Sequence, residues 1–164
     1  MNEIKRLMTD EDVNLAYKYI GYYWYKAFNV VKKDKKKAEK YAELMRIALE
    51  DIKSTGEVKS KEVLDDFDEI ECKYMNVSFS EFYDIEKPLE DVGEEFSEKF
   101  KKFGKNIDVT GKTDVTDVKY LHLEIEYYDI SEHHEEEEEE INPDFEEYET
   151  IGTYMNVSLT VKNY

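Results

Sequence analysis

The chain has 164 residues, of which 41 are Asp or Glu and 23 are Lys or Arg, giving a formal net charge of −18. This is enough chain for one domain with its own core, and six Gly and two Pro exclude a low-complexity disordered chain. So acidic a chain is a poor ligand for DNA, RNA or anionic membranes and a good one for proteins that bind them.

The acid is segregated. Residues 1–60 hold 13 basic and 10 acidic groups, a balance of +3; residues 61–114 hold 8 and 16, a balance of −8; residues 115–164 hold 2 and 15, a balance of −13. The single cysteine, Cys72, excludes an internal disulfide and suits a reducing cytosol. Met1 is followed by Glu3, Lys5 and Arg6 without an apolar run, and no stretch approaches the roughly 20 apolar residues of a membrane span. A cytoplasmic protein is expected.

Taken in order, residues 1–56 predict a helical hairpin. Thr9 can cap a first helix, with Asp10, Glu11 and Asp12 in a first turn where the helix dipole favours acids. Val13, Ala16, Tyr17, Ile20, Trp24, Ala27, Phe28 and Val31 follow helical spacing. Tyr19, Tyr22, Tyr23 and Tyr25 occupy the other faces, so this helix is expected to be buried on two sides. Asp34 can cap a second helix, whose stripe is Ala38, Tyr41, Ala42, Met45, Ala48, Leu49 and Ile52, with Gly56 as its stop.

Residues 57–164 predict a sheet plus one helix. Ile70, Cys72 and Tyr74 alternate, then Met75, Val77 and Phe79 alternate in the other phase, which predicts a strand within Ile70 to Tyr83 with a bulge near Tyr74 and Cys72 as a small core residue. Pro88 suits the first turn of a third helix, faced by Leu89, Val92, Phe96, Phe100 and Phe103 and ended by Gly104. Val118 to Ile130 reads as a strand with Leu121, Leu123, Ile125 and Tyr127 on one face and His122, Glu124 and Glu126 on the other. Thr153 to Val161 reads as the last strand, with Met155, Val157, Leu159 and Val161 inward. The expected fold is therefore α+β, a single domain over 1–164, with an antiparallel sheet of three or four strands packed on one face by about three helices and the other face wet. An internal echo, Tyr74-Met-Asn-Val-Ser-Phe-Ser and Tyr154-Met-Asn-Val-Ser-Leu-Thr, is read as two strands under similar packing demands.

An acidic loop is expected over 131–149. Its candidate partner-binding residues are Glu132, Glu135, Glu136, Glu137, Glu138, Glu139, Glu140, Asp144, Glu146, Glu147 and Glu149, with no Lys or Arg among them. Consecutive like charges keep such a segment extended and solvated. Extended, the 18 residues from Glu132 to Glu149, with their 11 carboxylates, span roughly 60 Å, about one charge per 5 Å, against about one per 1.7 Å in duplex DNA. The tract approaches a duplex only where other carboxylates, such as Glu124, Glu126 or those of the third helix, lie beside it.

Other chemistry is thinly represented. Lys32, Lys33, Lys35, Lys36, Lys37 and Lys40 lack the interleaved aromatics of single-strand binders and are expected to pair with the chain's own acids. His122, Glu124 and Glu126 share a strand face, but same-face neighbours lie about 7 Å apart, too far to share one ion without a second strand. Asp108 to Asp117 lacks calcium-loop spacing. No nucleophile elbow, phosphate-cradling glycine loop or paired cysteine is present, so no catalytic residue, metal site or cofactor is expected.

In size, charge and its Lys-, Glu-, Tyr- and Asn-rich composition the chain resembles the small acidic anti-CRISPR and anti-restriction inhibitors of phages and mobile elements. That resemblance implies a protein-binding, DNA-mimicking viral inhibitor whose partner is a basic nucleic-acid-binding protein such as a Cas nuclease, with no direct contact to nucleic acid or membrane. Two alternatives are an immunity or antitoxin-like protein that neutralises a basic toxin, and a divalent-metal-dependent hydrolase built on His122, Glu124 and Glu126.

Overall fold

A computed structural model describes residues 6–74, 85–89, 107–118, 120–133 and 148–162. Helix α1 spans Asp10–Val30 and starts where the sequence signals it: the Thr9 hydroxyl accepts from the Asp12 N–H at 3.2 Å and the Asp12 carboxylate accepts from the Thr9 N–H at 3.0 Å. Helix α2 spans Lys35–Thr55, capped by Asp34 on the Lys37 N–H. It ends at Gly56, whose φ of +78° is costly for any residue with a Cβ. Arg6 joins the far ends of the hairpin. Its guanidinium donates to the carbonyl of Ile52 at 2.7 Å and to Asp12 at 2.5 Å, so the start of α1 meets the end of α2 and the helices are antiparallel.

Burial on two sides of α1 is borne out for Tyr19, Tyr22 and Tyr23, which are at most 5% exposed, whereas Tyr25 reaches solvent. Short helices α3 (Lys61–Asp66) and α4 (Glu69–Tyr74) cover the outer side. Between them, Phe67 lies 4.2 Å from the Tyr19 ring and 4.7 Å from the Tyr22 ring, and Tyr22 donates to the Asp66 carbonyl at 2.7 Å.

Helix α4 overturns part of an expected strand. Alternation over Ile70, Cys72 and Tyr74 reads as β, but the Asp68 carboxylate accepts from the N–H groups of Ile70 and Glu71 at 2.9 and 3.2 Å and caps a helix instead. Ile70 and Tyr74 are accordingly exposed, and Cys72 is half-buried with its thiol toward the Lys18 carbonyl. The remainder of that expected strand, 75–83, lies outside the described residues, as does the first copy of the echo beyond Tyr74, whereas the second copy lies in the last strand. A second correction falls at Pro88, which sits in strand β1 (Ile85–Leu89) rather than opening a helix. Proline is tolerated there because β1 is an edge strand among the described residues. The rest of the expected third helix is outside the described residues.

Among the described residues, strands β2 (Ile107–Val118), β3 (Leu121–His133) and β4 (Tyr148–Val161) join β1 in a four-stranded antiparallel sheet in the order β1-β2-β3-β4. The fold is thus α+β with helices packed on an antiparallel sheet, as expected. Register puts Leu121, Leu123, Ile125 and Tyr127 on one face with Val161, Leu159, Val157 and Met155. Leu121, Leu123, Ile125 and Met155 join Ile20, Trp24, Leu49 and Ile52 in one core. Burial of each large apolar side chain there contributes roughly 1.5–3 kcal/mol.

The opposite face is not uniformly wet. Tyr128 and Ile130 are buried on it, packed with Leu7, Ile107, Val109, Ile151 and Tyr154. A register shift at Ile130/Ser131 leaves Ile151 as the extra residue of β4. Beside it, Met8 forms an isolated antiparallel bridge with Thr153, with bonds of 2.8 and 2.9 Å. Gly152 makes this approach possible, since a Cβ there would fall 2.7 Å from the Leu7 Cβ.

Candidate functional site

The polar half of the open sheet face lies at the β2–β3 turn. Alternation along β3 brings His122, Glu124 and Glu126 to this face, and register sets Asp117 opposite His122. His122 Nδ1 is 2.8 Å from Asp117 Oδ1, and its Nε2 is 3.9 Å from Glu124. The Lys162 ammonium also bonds Asp117. These partners, Lys162 first and then His122, hold the Asp117 carboxyl below its ordinary range. Further along, Tyr128 donates to Glu126 at 3.1 Å. Burial and the Glu126 charge push the Tyr128 hydroxyl up to about 12, so it remains a donor across the physiological range.

No three His, Cys, Asp or Glu side chains converge on a common metal position among the described residues. His122 is committed to Asp117 and Glu126 to Tyr128. The Cys72 thiol is pushed up by burial, with Lys18 opposing, which disfavours the nucleophilic thiolate.

Where β4 meets α2, two adjoining hollows of about 220 and 390 Å³ open. The first holds Lys53, which sequence reasoning missed. Its ammonium donates to Asn156 Oδ1 at 3.2 Å and sits 4.3 Å from the centre of the Tyr154 ring. Burial lowers its affinity for a proton, with Glu50 opposing. Glu50, Glu124 and Glu126 line the same hollow. Arg46, nearby, is held by Glu43 and by Glu50 at 2.9 Å. The only sequence signal for Lys53 is its position four residues after Leu49 on the core-facing side of α2; nothing in the sequence marks Asn156 as its partner.

Of the expected partner-binding residues, Glu132 is half-buried in β3 and Glu149 is in β4, directly opposite it. The expected loop 131–149 is therefore strand at both ends, because pairing continues through Glu132↔Glu149 and His133↔Tyr148. Glu135 to Glu140, Asp144, Glu146 and Glu147 lie outside the described residues. Tyr128 and Ile130 stand between Glu126 and Glu132 on the same face, a separation of about 20 Å along β3. The lysine junction also differs from expectation: Lys32, Lys33, Lys36, Lys37 and Lys40 are exposed and form no ion pair among the described residues.

No family model, curated protein or solved structure matches the chain. Among the described residues no helix is long and apolar enough to cross a membrane.

Proposed function

We propose that the chain is a protein-binding inhibitor of a nucleic-acid-binding defence nuclease, of the anti-CRISPR or anti-restriction kind, whose carboxylates occupy Lys and Arg sites built for phosphates. It acts by binding rather than by catalysis, and its partner is a basic protein. The observation that carries this reading is the segregation of charge: 15 acidic against 2 basic groups over residues 115–164, on a chain of −18. Carboxylates pair with guanidinium groups in a geometry like that of phosphate. A strong single-sign field speeds encounter with a basic channel and penalises acidic partners. The open sheet face supports the reading in part, since Glu124 and Glu126 reach solvent there and the half-exposed Tyr154 lies beside them as an aromatic anchor.

The test replaces Glu135 to Glu140 with Gln. Binding to the captured partner weakens at least about tenfold at low salt and loses much of its salt dependence. The fold survives, because its core lies among α1, α2 and β3. Unchanged binding would make the tract a solubilising segment only.

A further inference from the structure

We infer that the outer edge of β4, from Met155 to Val161, is a docking site for an extended segment of a basic partner, which adds to the sheet as a fifth strand. Thr153 sets which backbone amides of β4 face outward. Met8 exchanges both backbone bonds with Thr153, so the N–H and C=O of Thr153 point away from β3. In a regular antiparallel strand this direction alternates. The backbone N–H and C=O groups of Met155, Val157, Leu159 and Val161 therefore face the outer edge, and those of Asn156, Ser158 and Thr160 bond β3. The bond from the Lys162 N–H to the Tyr120 carbonyl, on the β3 side, agrees with this phase. Beyond Met8 no described residue pairs with this edge.

Edges left open in this way are normally blunted by Lys, Pro or a bulge. Edge strand β1 carries Pro88. The stretch Met155-Asn-Val-Ser-Leu-Thr-Val161 has no proline, no charge and no register shift. Consecutive residues of both phases, Val157 to Val161, line the larger hollow against Glu39, Ala42 and Glu43 of α2, so it is the edge itself that faces the hollow. Met8 already shows a chain segment taking this edge at its near end.

Charge chooses the occupant. The two hollows are lined by Glu39, Glu43, Glu50, Glu124 and Glu126 against Arg46 and Lys53, five acids to two bases, a balance of −3. A second copy of this chain, at −18, is repelled. An extended segment alternating Lys or Arg with small apolar residues gains backbone bonds from the edge and charge pairing from the α2 rim. This rests on the basic partner of the proposed function and shares Glu124 and Glu126 with the open face named there, but it does not use Glu135 to Glu140, so peptide protection should persist when those six are neutralised.

The experiment follows amide exchange by NMR on the full chain with the capped peptides (Lys-Val)4 and (Glu-Val)4 as probes. The lysine peptide should slow exchange at Val157, Leu159 and Val161 by at least about tenfold, leaving Asn156, Ser158 and Thr160 at their already slow rates. Ala42→Arg, which fills the hollow and adds a positive charge, should abolish that protection while circular dichroism stays native. Protection by neither peptide, or by both equally, would overturn the proposal. So would protection without peptide that grows with protein concentration, which would give the edge to a second copy.

Discussion

Met8 and Thr153 exchange two backbone hydrogen bonds across 145 positions of sequence, and through them the segment before α1 is stitched to the outer edge of the sheet. The contact depends on Gly152, whose missing Cβ leaves room for Leu7. Gly152→Ala should cost about 1–3 kcal/mol, the usual range for overpacking, because the near atoms are a Cβ and a backbone oxygen rather than a flexible side-chain end. Chemical denaturation measures it, and amide exchange at Met8 should rise in parallel. An unchanged midpoint would show that the bridge adds nothing to stability.

Arg6 closes the helical hairpin from the same segment. Arg6→Ala removes its bonds to Asp12 and to the Ile52 carbonyl and should lower stability by about 1–3 kcal/mol, discounted for the partial exposure of the guanidinium. Burial alone raises the Asp12 carboxyl, but hydrogen bonds from Thr9 and the Arg6 charge outweigh it and the net shift is downward from 3.8. A carboxyl depressed in the folded state contributes stability that is present above the unfolded pKa and lost as pH falls through the folded one. Melting temperature should therefore drop on acidification below the ordinary carboxylate range. Arg6→Ala should lose less over that same interval than the unsubstituted chain.

Thr116 lies on the helix-facing side of β2, fully buried, with its hydroxyl unpartnered. Thr116→Val keeps the branched shape that suits a strand and removes the unsatisfied group, so it should stabilise by about 1 kcal/mol. Thermal unfolding decides this, and a loss of stability would mean that the hydroxyl is bonded.

The same residue explains what the sequence conceals. Strand β3 is legible because Leu121, Leu123 and Ile125 alternate cleanly, and α1 and α2 are legible because Thr9, Asp34 and Gly56 punctuate them. Strand β2 is not, because its helix-facing positions are Lys112, Asp114 and Thr116, which carry no apolar period. Alternation at Ile70, Cys72 and Tyr74 misleads because six residues are too few for period to outweigh a capping carboxylate at Asp68. At the candidate site, Glu132 and Glu149 are ordinary members of an acidic run in the sequence, and only strand pairing sets them opposite each other. Lys53, Tyr154 and Asn156 meet through the packing of α2 along β4, a long-range relation that no local pattern encodes.

The role of the acidic segment is tested most directly by immobilising the chain, capturing proteins from a nuclease-treated bacterial extract, and eluting with salt in parallel with its Glu135–Glu140→Gln variant. The proposed function predicts that nucleic-acid-binding proteins are captured, that they elute between about 0.05 and 0.3 M salt, that added duplex DNA displaces them, and that the variant retains at least about tenfold less. Capture indifferent to salt, to DNA and to the six substitutions would contradict it.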